Sequence, residues 1–430
     1  MSKKLIFIEL NEINFDLVKK YSEDNSFYFF DTNFFDSLKI TKSENNISNL
    51  EPWIQWVSAH TGLDANDHKV FRLGEINDQN IQQIFEKVES KGYSVGAICP
   101  MNTNNKLINS RYFIPDPWTK SKFNGNKFQK LIYSALSEAV NNNAGKKLTF
   151  KSKLVIFASI LFFIRGRKFF EFLRLLFKSF KHKWYRAIIF DFLIHNIHLI
   201  YLNKFKVDFS TIFFNAGAHI QHHYLHNSKK IGNVFNKNPE WYLEEKFDPV
   251  LDVYLFYDKI LNDYKQFKDY SILIATGLSQ SPRTQKEFYY RLKDHENFLK
   301  FLNIDFQFVE PRMSRDFSII FSDDKSRDEA NEKFKNINFL NNELIFDVHK
   351  KNKSIFVSLV YNKEIKNNFD LIIDSSKKIK LINFVNFVAI KNGMHSSKGY
   401  LNSSENLKKY IPENNFHVKE IFNTISNYFA

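Results

Sequence analysis

Four histidines fall within eight positions of the stretch FFNAGAHIQHHYLHN, residues 213–227: His219, His222, His223 and His226. Imidazole changes charge near neutral pH and binds metals through a neutral nitrogen, so the cluster suits a general base, a metal site or a histidine-rich surface helix. In a helix, side chains three, four and seven positions apart share a face. His222 or His223 can then join His219 in one cleft, with His226 at its rim. Carboxylates beside imidazoles are the raw material of acid–base chemistry near neutral pH. FIELNE, residues 7–12, supplies Glu9 and Glu12 around Asn11, and EPWIQWVSAHTGL, residues 51–63, supplies Glu51 and His60. Glu51 is the preferred base or nucleophile, although a carboxylate opening a helix also serves as a cap. Trp53 and Trp56 suit stacking on a sugar or base, or a place in the core. Ser58 and Thr61 read as packing residues inside the helix. GLSQ, residues 277–280, adds Ser279 and Gln280, and GMH adds His395. VEPRMSRDF, residues 309–317, adds Arg312 and Arg315, forks that match phosphate or carboxylate, or that salt-bridge at a surface.

These side chains need strands to position them. KLIFIEL (4–10), YSVGAIC (93–99), DFSTIFF (208–214) and YSILIAT (270–276) read as buried strands. Helices are predicted to about residue 22, from the turn at 51–63 with Pro52 at its first position, and over 79–91, 126–142, 248–268, 283–302 and 416–428. The segment 316–360 alternates short strands with polar turns, and 382–390 reads as a further strand. Alternating strands and helices imply an α/β fold, a mostly parallel sheet sandwiched by helices. Ligands of such sheets bind beyond the carboxyl ends of strands. Glu9–Glu12, Asn215–His226 and Thr276–Gln280 each follow a strand and should meet at that edge.

The chain has 430 residues, 43% of them hydrophobic, enough for a large core, and a single cysteine, Cys99, which excludes an internal disulfide and a cysteine zinc site. The net charge is +14, and residues 146–206 hold 14 Lys or Arg against two acids, Glu171 and Asp191. The charge therefore belongs to this segment. The expected division is an α/β domain, 1–145 with 207–430, carrying a basic amphipathic helical insert, 146–206. The longest uncharged apolar run there, LVIFASILFFI, has 11 residues, against about 20 for a span. Basic residues beside Phe, Leu and Trp at helical spacing fit helices lying on an anionic membrane surface. Self-packing with a solvated basic face and oligomerisation are the alternatives. No reading motif for nucleic acid accompanies the charge, so no specific nucleic-acid partner is expected. The start, MSKKLIFIELNEINFD, lacks a secretory apolar region, so the expectation is a cytoplasmic protein, peripheral on the inner membrane face.

Taken in order, FIELNE, EPWIQWVSAHTGL, DHKV, NAGAH, LIATGLSQ and GMH resemble the alkaline phosphatase superfamily, in particular its phosphodiesterase, nucleotide pyrophosphatase and sulfatase-like branches. The resemblance spans most of residues 4–400 and implies an alkaline-phosphatase-like fold. It puts Asn11 at the first metal-binding Asp, Glu51 or Pro52 at the nucleophile, and His68 downstream of it. Asn215 and His219 stand at Asp-x-x-x-His, Thr276 and Gly277 at Asp-His, and His395 at the late Gly-x-His. The superfamily's reaction uses two divalent metals about 4 Å apart. Three of their carboxylates are neutral here, so no two-metal centre is expected. A single divalent cation can be held at Asn215, His219 and His395. With the basic insert beside this resemblance, the expectation is an enzyme acting on a phosphorylated, nucleotide-linked or lipid-linked sugar, by hydrolysis or by group transfer, including glycosyl transfer, with surface-polysaccharide biosynthesis expected by analogy alone. The expected catalytic residues are Glu51, His219, His222, Asn11 and Glu12. Glu9, Trp53, His60, Asn215, Ser279, Gln280, Arg312 and Arg315 are expected on the substrate. A non-catalytic binding protein on this fold and a one-metal phosphodiesterase are the alternatives.

Overall fold

The computed structural model describes residues 3–44, 46–141, 148–232, 237–311, 315–337, 339–340, 343–366, 370–373, 377–413 and 415–430. An eight-stranded sheet organises the first of two compact units, which holds residues up to Val140, Leu148–Thr284 and Gly393–Ala430. Its strands in chain order are β1 (Leu5–Leu10), β2 (Lys39–Lys42), β3 (Val95–Ile98), β4 (Tyr112–Ile114), β5 (Phe209–Phe214), β6 (Ser271–Ala275), then Lys398–Ser403 and Phe416–His417. Across the sheet the order is 416–417, β2, 398–403, β6, β1, β5, β3, β4. From β6 to β4 every pairing is parallel, and 398–403 runs antiparallel to both β6 and β2. β1 (LIFIEL) and β5 (FSTIFF) are buried at every position. Central parallel strands are covered on both faces, which is why they read as apolar runs without alternation. The mostly parallel sheet flanked by helices is the α/β arrangement expected from the sequence.

Six helices bear on the site and its surroundings: α1 (Pro52–Thr61), α2 (Phe150–Phe163), α3 (Arg167–Lys181), α4 (Tyr185–Phe205), α5 (Ala216–Tyr224) and α6 (Pro249–Tyr264). Pro52 pre-sets the first turn of α1, and Gly62 at φ 75° ends it. The Thr149 hydroxyl accepts from the Ser152 amide to open α2, and the Asp248 carboxylate accepts from the Leu251 amide to open α6. α2 and α3 both pack against α4. On α4, Ile188, Phe192, Ile194, Ile197 and Leu202 are at most 1% exposed, and each such burial is worth about 1.5–3 kcal/mol. Two imidazoles share that interior because each is paired. His198 bonds Ser210 Oγ at 2.7 Å and Tyr264 at 2.9 Å, and His195 Nε2 lies 2.9 Å from Asp263. No helix among the described residues is long and apolar enough to cross a membrane.

The second unit, Gln285–Asn392, has its own core, including Phe317, Ile319, Phe334, Phe346, Ile355 and Val357. Four antiparallel strands form its sheet in the order 346–351, 354–359, 316–320, 308–311. This unit falls inside the 207–430 part of the expected α/β domain, and α2, α3 and α4 of the 146–206 segment fall within the first unit. The helix predicted over 283–302 is corrected. Ser279–Leu292 is a strand paired with Val385–Ser396, and only His295–Phe301 is helical, capped by Asp294. Thr, Phe and Tyr in TQKEFYYRL favour a pleated surface, and a partner about a hundred residues away supplies the pairing.

Candidate functional site

The carboxyl ends of β1, β5 and β6 are knitted together by backbone before any side chain is considered. The Asn11 amide donates to Phe214 O at 3.0 Å, and the Glu12 amide donates to Thr276 O at 3.1 Å. Glu12 turns off the strand at φ 60°. That conformation costs a residue with a Cβ about 1–3 kcal/mol and persists where surroundings over-determine it, often at functional sites.

The Glu12 side chain is 2% exposed and fully engaged. Its Oε1 accepts from Asn11 Nδ2 at 3.0 Å and its Oε2 from Gln280 Nε2 at 2.6 Å. The same Oε2 lies 3.0 Å from His222 Nε2 and 3.2 Å from His395 Nε2, and the two imidazole nitrogens are 3.3 Å apart. His395 Nδ1–H donates to Leu50 O at 2.8 Å, and Glu51 Oε2 stands 3.5 Å from the same nitrogen. Burial works against charge on His395, but Glu12 and then Glu51 outweigh it and push the imidazole up to about 8. Burial likewise opposes ionisation of Glu12, yet His395 and His222 hold its carboxyl well below the usual range.

Neutral amides where the resemblance would put aspartates follow from this geometry. Asn11 Nδ2 donates to both Glu12 Oε1 and Asn215 Oδ1, the latter at 2.8 Å, while its Oδ1 accepts from Trp56 Nε1 at 2.8 Å. A carboxylate at residue 11 would have no hydrogen to donate and would face Glu12 as a like charge. Gly277 at φ 70° has the Trp56 ring 3.1 Å from where a Cβ would lie, so a metal-binding side chain there would be strained and would press on Trp56. A Cβ on Gly393 would fall 2.0 Å from Gln280 Oε1 and 2.9 Å from Gln221 O. The glycine of GMH therefore admits the amide that holds Glu12.

Among the described residues, Glu12, His222 and His395 are the group that can hold a metal ion. A tetrahedral site with bonds of about 2.0–2.1 Å has ligand–ligand edges of about 3.3–3.4 Å. The three observed separations, 3.0, 3.2 and 3.3 Å, are close to that. One carboxylate and two imidazoles thus fit a single cation.

The trio Asn215, His219 and His395 is corrected accordingly. Asn215 Oδ1 accepts from Asn11 Nδ2, and His219 lies exposed with its ring 4.6 Å from His223. Glu9 and His60 are corrected from substrate contacts to core. Both are 0% exposed, 3.2 Å apart, and Glu9 also accepts from Thr211 Oγ1 at 2.5 Å. Gln280 and Ser279 are 0% and 2% exposed, so Gln280 orients Glu12 rather than meeting solvent. Glu51 is at the N-cap of α1 but makes no side-chain cap bond, so capping is not its role. Trp53 donates to Phe71 O at 3.0 Å. His68 bonds Ser58 at 3.2 Å under α1, and burial pushes it down to about 4. His226 Nε2 donates to Arg283 O at 2.9 Å. Arg315 lies over the Tyr289 ring in the second unit, and Arg312 lies outside the described residues.

Two residues escaped the sequence reading. Gln221 Nε2 donates to Glu12 O at 2.7 Å, fixing the strained turn from α5. Asp191, on α4, accepts from the amides of Asn215 and Ala216 at 3.1 and 2.8 Å and from Tyr257 OH at 2.8 Å, holding the N-terminus of α5. Burial pushes its carboxyl up to about 7. Its signal was present, as one of only two acids in a basic segment. A cavity of about 580 Å³ lined by Phe162, Arg165, Lys168, Asn196, Asn203 and Asp263, among others, shares no residue with the triad.

No protein-family model and no curated protein matches the chain. Solved structures do. The chain is similar to phosphonoacetate hydrolase from Sinorhizobium meliloti 1021 bound to phosphonoacetate, with TM-score 0.45, 10% identity, 100% of this chain and 96% of that one. It is similar to murine ectonucleotide pyrophosphatase/phosphodiesterase 5 in complex with AMP, with TM-score 0.40, 11% identity, 99% and 95%. Alkaline phosphatase from the Antarctic bacterium TAB5 gives TM-score 0.40, 9% identity, 100% and 98%. All three are members of the alkaline phosphatase superfamily, which the ordered motifs resemble.

Proposed function

We propose that this protein is an enzyme of phosphate-ester chemistry, a divergent relative of the alkaline phosphatase superfamily, whose centre is Glu12, His222 and His395 with Glu51 beside them. The observation that supports it is the convergence of three groups from separate elements within 3.0–3.3 Å, one of them a glutamate in a left-handed conformation. Glu12 Oε2, His222 Nε2 and His395 Nε2 would hold one divalent cation, which when bound polarises a phosphoryl oxygen and acidifies water. Asn11 and Gln280 aim the Glu12 carboxylate, Leu50 O fixes the His395 tautomer, and Gln221 clamps the Glu12 backbone. Glu51 takes the proton of the attacking water or acceptor hydroxyl. The new P–O bond forms as the old ester bond breaks, and the leaving oxygen takes a proton from solvent.

Charge favours a diester. One dication against Glu12 and the Glu51 base leaves no net positive charge, which suits the single negative charge of a phosphodiester better than the two of a monoester. The neutral amide of Asn215 and the imidazole of His219 suit sugar hydroxyls. We place the substrate among nucleotide-linked, lipid-linked or otherwise phosphorylated sugars at the cytoplasmic membrane face, in surface-polysaccharide assembly, with hydrolysis or transfer to an acceptor. Supporting this finer reading are the motif order and the basic segment. The test is metal analysis of purified protein with turnover of bis-p-nitrophenyl phosphate, p-nitrophenyl phosphate and a panel of nucleotide-sugars. One cation per chain, diester preference and loss of both with His395→Ala are expected. Two cations per chain, or turnover indifferent to EDTA and to His395→Ala, overturns the reading.

A further inference from the structure

The surface formed by α2 and α3 has a composition that water alone does not explain. Along α2, Phe150, Leu154, Phe157 and Leu161 are 75%, 52%, 59% and 50% exposed. Their spacing of four, three and four places them on one stripe. On α3, Phe170, Phe177 and Phe180 are 73%, 68% and 73% exposed. Each helix packs its other side against α4, so these rings are left over after the fold is complete. Contiguous exposed apolar surface of this kind marks an interaction site.

The charges around the rings select the partner. Lys151, Lys153, Arg165, Arg167, Arg174 and Lys181 are all exposed. Both acids of the segment are paired or buried. Glu171 pairs with Lys259 on α6 at 2.6 Å, and Asp191 is 1% exposed under α5. Exposed cations alternating with exposed Phe and Leu, with the segment's own acids paired or buried, match an interface of acyl chains beneath anionic headgroups. A protein partner of mixed charge would not need this one-sided pattern, and a second copy of the same face would repel it. The cavity of about 580 Å³ begins at this surface, since Phe162 and Arg165 line it. Within it Lys168 is paired with Asp263 and Arg165 supplies the cation nearest solvent.

We propose that the α2–α3 face seats this protein on an anionic lipid bilayer, its phenylalanines entering the interface and its lysines and arginines meeting lipid phosphates. This is independent of the chemistry at Glu12, His222 and His395, and it fails or stands without them.

The test uses the full-length protein with vesicles of phosphatidylcholine alone and of phosphatidylcholine with 30% phosphatidylglycerol, at low and high salt. Binding to the anionic vesicles, weakened by salt, is expected. Arg167→Gln, Arg174→Gln and Lys181→Gln together should reduce it about 100-fold, from about fivefold per cation near such a surface. Phe157→Ser with Phe177→Ser should release the protein even at low salt. Lys325→Gln with Lys351→Gln, exposed cations of the second unit, should leave binding unchanged. All changed positions are exposed, and an unaltered melting temperature verifies folding. Equal affinity for both vesicle types, no effect of the Arg and Lys changes, or a stable oligomer that Phe157→Ser with Phe177→Ser dissociates while no vesicle is bound, each overturns the proposal.

Discussion

Replacing Asp191 separates two roles that one carboxylate performs. Its Oδ2 takes the strongest bonds, from Asn215 and Ala216 amides at 3.1 and 2.8 Å and Tyr257 OH at 2.8 Å, while Oδ1 has only a longer contact of 3.3 Å to the Asn215 amide. Asp191→Ala leaves two amides and a phenol buried without acceptors. At about 1–3 kcal/mol for each orphaned group, relieved partly by relaxation, the loss should be about 3–5 kcal/mol. Asp191→Asn keeps one oxygen where Oδ2 was and resembles the protonated acid, so its cost should be about 1 kcal/mol. The two forms also differ in pH dependence. Asp191 is raised from the ordinary carboxyl value to about 7, so the native state holds a proton that the unfolded state releases. Stability from this residue is present in acid and is lost as pH rises through about 7. The full shift corresponds to about 4 kcal/mol, an upper limit. Urea unfolding of wild type and Asp191→Asn at pH 5 and pH 8, in equal salt, isolates the effect, because all other groups cancel in the difference. The wild-type advantage should shrink or reverse between the two pH values. Parallel pH curves, or an Asp191→Ala protein within 1 kcal/mol of wild type, would refute the reasoning.

Three further outcomes follow from the site and its supports. Glu12→Gln removes the anionic member of the triad and should lower turnover of the diester about 10²–10⁴-fold and weaken zinc binding measured calorimetrically; unchanged zinc affinity would move the cation elsewhere. Gly393→Ala pushes a methyl group into Gln280 and the Gln221 carbonyl and should cost about 1–3 kcal/mol with a parallel loss of activity; a fully active, fully stable variant would show that Gln280 does not need its present place. His68, held near 4 by burial, contributes stability above its unfolded value near 6.5 that is lost as pH falls through about 4. His68→Gln should therefore flatten thermal stability between pH 6.5 and 4, and an unchanged slope in melting temperature would assign acid sensitivity to other groups.

What the sequence exposed and what it concealed have physical causes. β1, β5 and β6 were legible because strands covered on both faces need unbroken apolar runs, and their polar sequels had to lie at one edge. Glu12, His222 and His395 were named, but motif spacing grouped His395 with Asn215 and His219. The phase of α5 decides otherwise, setting His222 against Glu12 and His219 toward solvent. Glu9 and His60 carry the right chemistry in the wrong place. A carboxylate within a doubly covered strand survives only beside partners, and Thr211 and His60 are those partners. The strand Ser279–Leu292 was hidden because its pairing partner, Val385–Ser396, lies far along the chain. The start of the second unit at Gln285 leaves no Pro- or Gly-rich mark in the sequence.

Asp191 reaches from a helix of the basic segment to the first turn of the histidine helix, and this ties two properties that an experimenter would wish to vary separately. Excising the segment as though it were a detachable address label would also pull away the anchor beneath His222. A truncated protein that loses both the proposed lipid binding and the proposed turnover would therefore teach nothing about which loss came first. Only substitutions on the outer sides of α2 and α3, leaving α4 whole, alter the exposed apolar and basic face without disturbing the support of α5.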